Sequence, residues 1–308
     1  MCVSYRLVEI PELNEPDLIV GWPGIGSVGI LAVDTLRRQL EADYAGEIEP
    51  EPFFYPNGVV IKNGVLEELN FPTSRFYYKR LPQRDLVMFI GEEQPAETGS
   101  TYASGGKAFM MANLVVDVAQ KLGCRHIFTS GAAVSAIHHN YTPGVWVVAT
   151  EKTLLAEIEL KRSGSYLSEH QGKGTQANIT GLNGLLIGVA ARRGIPGACL
   201  MGEVPDYLAR APLPYPSASR SVLEILSRFY DLQLNCSDLE EMRRQTLEMA
   251  EQFFNQFPDE IKAKISQRAQ TRVEAEGGEA ITEDDKQWMA EHIEDLFRPG
   301  WNNDDRAA

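Results

Sequence analysis

Positive charge is scarce in this sequence. Its 29 Lys and Arg face 43 Asp and Glu, leaving a formal net charge of −14. Nucleic-acid grooves and anionic membrane surfaces need clustered Lys and Arg, so the sequence argues against both and favours basic partners. Cysteine is scarce as well. Cys2, Cys124, Cys199 and Cys236 stand far apart and form no C-x-x-C pair. That spacing points to isolated thiols in a reducing compartment. No run reaches the ~18 apolar residues of a membrane span. The N-terminal stretch carries Glu9, Glu12, Glu15 and Asp17, not a basic segment followed by an apolar one. The expectation is a cytoplasmic protein without membrane association. No G-x-S-x-G is present, which removes the nucleophile elbow of the α/β-hydrolases.

What is present is a globular composition, 44% apolar over 308 residues. Asp17-Leu-Ile-Val20 reads as a strand. It feeds Gly21-Trp-Pro-Gly-Ile-Gly-Ser-Val-Gly29 and a helix from Val28 to Leu40, with its apolar stripe at Ile30, Leu31, Val33, Leu36 and Leu40. Val59–Lys62 and Val65–Glu68 flank Asn63-Gly64, a strong hairpin signal. Arg75–Lys79 adds a strand, and Asp85–Ile90 reads as a buried central one. A long helix lies within Gly99–Lys121. Strands follow at His126–Thr129 and Val145–Ala149. A helix at Leu154–Leu160 is expected to stop at Gly164, and one at Gly184–Arg193 at Gly194 and Pro196. Ala198–Met201 is a strand, and Ser217-Ala-Ser219 is a capping signal for a helix to Tyr230.

This alternation predicts an α/β fold with a mostly parallel sheet sandwiched by helices and an antiparallel insertion near residues 59–80. From Gln233 onward, 18 acidic and 9 basic residues supply −9 of the net charge, and strand-like runs disappear. The chain therefore reads as an α/β core at 1–232 and an acidic helical tail at 233–308. The tail is expected to hold two or three amphipathic helices between Ser237 and Phe297, with a frayed segment at 298–308.

Gly24-Ile25-Gly26-Ser27-Val28-Gly29 matches G-x-G-x-x-G between a strand and a helix, the setting of a dinucleotide fingerprint. Two details weaken that match. Gly21-Trp22-Pro23 intervenes before the first motif glycine. The acid-bearing second strand expected some 20 residues on is also poor, because Asp43–Pro52 is polar; Glu47 or Glu49 would have to be forced into the ribose role. A tight turn that uses glycine for positive φ and close packing is the favoured reading of the motif, ahead of an anion or small-molecule site and then of a dinucleotide. Ser130 and Gly131, where an apolar strand is expected to end, join Gly24, Gly26 and Ser27 as candidate ligand-binding residues.

Three other motifs fall short. Thr101-Tyr-Ala-Ser-Gly-Gly-Lys107 fails the phosphate-loop pattern at Thr101 and Ala108. Gly172-Lys-Gly-Thr175 is a short, nonspecific loop with a basic tip. His138-His139 has no ligand spacing around it, so no metal is expected. Cys124 reads as packed, not reactive. No catalytic residue and no cofactor is assigned.

Several segments together resemble the proteasome assembly chaperone two family. They are Leu18-Ile-Val-Gly-Trp-Pro-Gly-Ile-Gly-Ser-Val-Gly29, Asn70-Phe-Pro-Thr-Ser-Arg-Phe-Tyr-Tyr78, Thr129-Ser-Gly-Ala-Ala133, Thr180-Gly-Leu-Asn-Gly-Leu-Leu186, Gly202-Glu-Val-Pro-Asp-Tyr-Leu208 and Tyr215-Pro-Ser-Ala-Ser219. They occur in family order across about residues 17–231. The resemblance implies a nucleoside-phosphorylase-like core, homo-oligomerisation and, as in eukaryotic and archaeal members, a role in assembling proteasome α-subunits. It implies no catalytic residues. Archaeal members that engage the proteasome end in a hydrophobic–tyrosine–any tripeptide, whereas this sequence ends Arg306-Ala307-Ala308, so docking by that tripeptide is not expected. The helical extension resembles that of longer bacterial members. The leading expectation is a non-catalytic assembly factor whose partners are further copies of the chain, proteasome subunits or another client protein. The rival is an enzyme or a binder of a nucleotide, nucleoside or other anion on a phosphorylase-like sheet.

Overall fold

In the computed structural model the chain enters through β1 (Tyr5–Leu7) and β2 (Asp17–Gly21), then a 3₁₀ turn (Ile25–Ser27) and α1 (Val28–Gln39). The structure describes residues 4–96, 103–160, 179, 181–270, 284 and 287–291. After α1 come β3 (Asp43–Ile48), β4 (Gly58–Lys62), β5 (Val65–Asn70), β6 (Ser74–Lys79), β7 (Leu86–Gly91) and α2 (Gly105–Lys121). They are followed by β8 (Ile127–Ser135), β9 (Val145–Ala149), α3 (Lys152–Leu160), α4 (Gly181–Arg192), β10 (Gly197–Pro205), α5 (Pro216–Phe229), α6 (Ser237–Asn255) and α7 (Asp259–Gln270). Thr101, the expected stop at Gly164, the Gly172–Thr175 loop and the frayed segment 298–308 lie outside the described residues, as does much of the expected tail helix beyond 270.

Among the described residues, eight strands form one sheet in the order β1-β3-β6-β7-β2-β8-β10-β9. The central four, β7-β2-β8-β10, run parallel, and antiparallel strands flank them on both sides. The central strands read as continuous apolar runs because both faces are covered. Side chains alternate between the faces: Ile19, Met88 and Phe128 enter one hydrophobic cluster with α1, α3 and α5, while Leu18, Val20, Val87, Phe89 and Ile127 enter another with α2 and α4. The expected α/β sandwich is thus the observed architecture.

Three local departures have physical reasons. Residues 43–48 form a strand despite their polar sequence. β3 is paired on both sides, by β1 and β6, and buries Ala45 and Ile48; tertiary pairing overrides weak propensity. β8 and β10 are longer than expected, nine residues each, because they pair in register from Ile127 with Gly197 to Ser135 with Pro205. Ser217 and Ser219 do not cap α5; they lie within its first turn. Tyr215 is the N-cap with Pro216 following, and the Ser219 hydroxyl donates to Val28 O at 3.0 Å.

Helices α6 and α7 bring Leu239, Ala250, Phe253, Phe254, Phe257, Ile261 and Ile265 into the same cluster as α1 and α5. Each large apolar side chain buried there contributes about 1.5–3 kcal/mol. At the amino end of β2, the fully buried Asp17 accepts from Arg84 Nη1 at 2.7 Å, from the His126 backbone N–H at 3.0 Å and from Tyr230 OH at 3.1 Å. Burial opposes the Arg84 charge, but the hydrogen bond to Asp17 and the attraction of its carboxylate together outweigh it and raise the pKa. Burial pushes the Tyr230 phenol well up, so it remains a donor. These bonds satisfy a carboxylate that would otherwise be very costly to bury.

Candidate functional site

The turn after β2 is built by close approach. A Cβ at Gly29 would collide with the backbone carbonyl of Ser130. A Cβ at Gly21 would meet Gly29 O and Val33 Cβ, each at 2.9 Å. Gly26 has φ 59°, and its missing Cβ would stand 2.8 Å from Tyr215 Cβ. Ser27 is also left-handed, at φ 51°, with its N–H donating to Gly24 O at 2.9 Å. The Tyr215 N–H donates to Gly26 O at 2.7 Å. The turn is therefore clamped between β8 and the start of α5.

Of the candidate residues, Gly24 and Gly131 line a cleft of ≈ 90 Å³ at the carboxyl end of β2, with Trp22, Gly29, Gln94 and Asn183. Gly26 packs against Tyr215, and neither it nor Ser27 lines the cleft. Ser130 is 1% exposed, and its Oγ lies 3.3 Å from both Val20 O and Gly29 O. This is the strand end at which open α/β sheets hold ligands. Here Gln94 Nε2 donates to Pro23 O at 2.6 Å, and Asn183 Nδ2 donates to Ser130 O at 3.0 Å. Two polar atoms nearby, Trp22 Nε1 and Asn183 Oδ1, are buried without a hydrogen-bond partner among the described residues. Sequence reasoning missed Gln94 and Asn183, which only the folded topology brings to the turn.

The ribose-binding acid of a dinucleotide fold has no place here. β2 lies between β7 and β8, and β3 lies two strands beyond β7. Glu47 pairs with Arg6 at 2.9 Å, and Glu49 is hydrogen-bonded by Ser4.

Past the ends of β8 and β10, the two adjacent histidines are buried, not solvated. Their rings stack at 4.3 Å. His139 Nδ1 lies 2.6 Å from Tyr207 OH, and Nε2 lies 2.8 Å from Glu251 Oε2 on α6. Burial lowers the His139 pKa against the pull of Glu251, so the ring is neutral at pH 7. It accepts from Tyr207 at Nδ1 and donates to Glu251 from Nε2, and that bond holds the Glu251 carboxyl below its ordinary range. Phe254 packs edge-on against both rings. α6 thus closes this part of the carboxyl end. Among the described residues, no group of three or more His, Cys, Asp or Glu could hold a metal ion. No helix among them is long and apolar enough to cross a membrane. Cys124 is buried, and burial raises its pKa.

One segment at this end is left open. β4 and β5 form a separate two-stranded sheet around Asn63-Gly64, both with positive φ as the expected turn demands. Cross-strand pairs Val59–Leu69 and Ile61–Leu66 share one face, and those side chains are 46%, 53%, 65% and 59% exposed. Val60–Glu68 and Lys62–Val65 take the other. Tyr55, at the base, is also exposed.

Known proteins place this architecture. An uncharacterised protein of Methanocaldococcus jannaschii is 27% identical over 264 residues, covering 84% of this chain and 90% of its own. The crystal structure of Pyrococcus furiosus PbaB, described as an archaeal proteasome activator, is similar with a TM-score of 0.68 and 28% identity, over 80% of this chain and 96% of that one. A PAC2 family protein from Streptomyces avermitilis shares the fold, with a TM-score of 0.62 at 19% identity over 81% and 99% of the two chains. The model of the PAC2 family matches residues 18–253, from the first central strand into α6, and the chain belongs to that family.

Proposed function

We propose that this protein is a non-catalytic protein-binding factor acting on a multisubunit protein assembly of the proteasome type. The observation that carries this reading is the closure of the sheet's carboxyl end. Gln94 and Asn183 fill it beside β2, and α6 closes it beside β8 and β10. Only ≈ 90 Å³ is left where a cofactor would sit, far below the ~300 Å³ at which small-molecule sites begin. The likeness to PbaB supports a proteasomal partner. Self-association of the chain belongs to the same reading, as does a division between core and acidic tail at residues 232–233. The test is affinity capture of the full chain from its native host after cross-linking, read by mass spectrometry. Enrichment of proteasome subunits is expected; their absence overturns the reading.

A second reading rests on the unpartnered Trp22 Nε1 and Asn183 Oδ1. In it, a small anion occupies the cleft lined by Gly24 and Gly131, next to Gly26, Ser27 and Ser130 in the chain. A ligand that binds only the folded state raises its melting temperature. Thermal scans with phosphate, nucleosides and nucleotides that stay flat remove this reading.

A further inference from the structure

The β4–β5 hairpin is an amphipathic ribbon turned inside out relative to the rest of the fold. Its apolar face carries four aliphatic side chains and no charge, and every one of them is at least 46% exposed. A two-stranded sheet alone is marginally stable in water, and gains most from a surface that covers its apolar face. The four side chains present roughly 400 Å² of apolar surface, the size at which a patch marks an interaction site.

The charge around the ribbon selects the occupant. Glu67 and Glu68 lie on it, and Glu51, Glu92 and Glu93 lie on the neighbouring loops, all exposed; Lys62 is the ribbon's own cation, 3.8 Å from Glu67. A second copy would bring this acidic rim against itself. Complementarity favours the opposite sign. We infer that the hairpin docks an amphipathic segment of a different protein, aliphatic along one side and bordered by Lys or Arg. This rests on the protein-binding reading above and names the contact through which it operates.

The test uses two synthetic amphipathic peptides, identical in their leucines, one bordered by lysines and one by glutamates. Binding to the full chain is measured by fluorescence anisotropy at physiological salt. The lysine peptide is expected to bind at least tenfold tighter. The Ile61→Ser/Leu66→Ser chain, which keeps every charge, is expected to lose that binding at least tenfold with an unchanged melting temperature. The Glu67→Lys/Glu68→Lys chain is expected to shift preference toward the glutamate peptide. Equal binding of both peptides overturns the inference, as does lysine-peptide binding indifferent to the serine substitutions. A drop in oligomer mass of the serine variant by light scattering assigns the face to a second copy and also overturns it. Proteasome subunits captured equally by the wild-type chain and the serine variant would sink the inference and leave the proposed function standing. Capture of none by the wild-type chain would sink that function instead, while the peptide result still decides the hairpin.

Discussion

Residues 21–29 and 58–70 both emerge at the carboxyl end of the central strands. In the first, the missing Cβ atoms of Gly21, Gly26 and Gly29 are matched by atoms of α1, of Tyr215 at the start of α5 and of β8, and hydrogen bonds hold the turn on both sides. In the second, Gly58 and Gly64 have open space around them and the aliphatic side chains face water. The motif that looks most functional in the sequence is the one most fully committed to packing. The plainest signal, a two-residue turn between short apolar runs, carries the exposed chemistry.

The largest test of this contrast is removal of the residues that close the sheet's end. Truncation after Leu232 strips Leu239, Ala250, Phe253, Phe254, Phe257, Ile261 and Ile265 from their cluster. Losing that burial, at about 1.5–3 kcal/mol for each of the large side chains, is expected to cost about as much as the ~5–15 kcal/mol by which folded domains are stable. The truncated chain should be insoluble or lack a cooperative thermal transition, whereas deletion of residues 59–69 with a short linker should keep one. Next, Gly29→Ala drives a methyl into the Ser130 carbonyl and is expected to cost about 3 kcal/mol or more, while Gly64→Ala, strained only by its φ of 81°, should cost about 1 kcal/mol. Urea melts of the two variants compare them directly. Comparable in size to the first of these, Asp17→Asn leaves the buried end of Arg84 without its counter-charge and should cost about 3 kcal/mol by the same urea melts.

The smallest effect concerns pH. Burial depresses His139, and the bond from His139 depresses Glu251. Both signs are the same. The unfolded chain binds protons that the folded one resists, so stability is full above the ordinary histidine value of ~6.5 and declines as pH falls toward the folded values. The wild-type melting temperature should drop between about pH 7.5 and 5.5, and His139→Gln should show a shallower drop. Parallel slopes would place the pH response elsewhere.

Legibility in the sequence followed the range of the interactions. Asn63-Gly64 was readable because an I′ turn is a local demand for two positive φ values, and both occur. The apolar run at Leu86–Ile90 was readable because burial on both faces removes alternation. The glycine motif announced a turn after β2, but its partners Ser130 and Tyr215 lie far along the chain. β3 was hidden because its polar residues owe their extended form to neighbours on either side. His139 and Glu251 are 112 residues apart, and neither position carries a local signal of the bond. The hairpin itself was legible from sequence; its exposure was not, since short apolar runs in strands ordinarily mean a covered face.

The bulge between Val60 and Ile61 has a consequence for how such a surface survives at high concentration. A flat ribbon with two open edges would template the addition of further strands, copy upon copy, into fibres. The extra residue is Glu67, whose carboxylate lies 3.8 Å from Lys62; the bulge adds local twist that takes the ribbon out of the flat form further strands would stack on. The chain can thereby keep a greasy face ready for a foreign partner without nucleating its own aggregate.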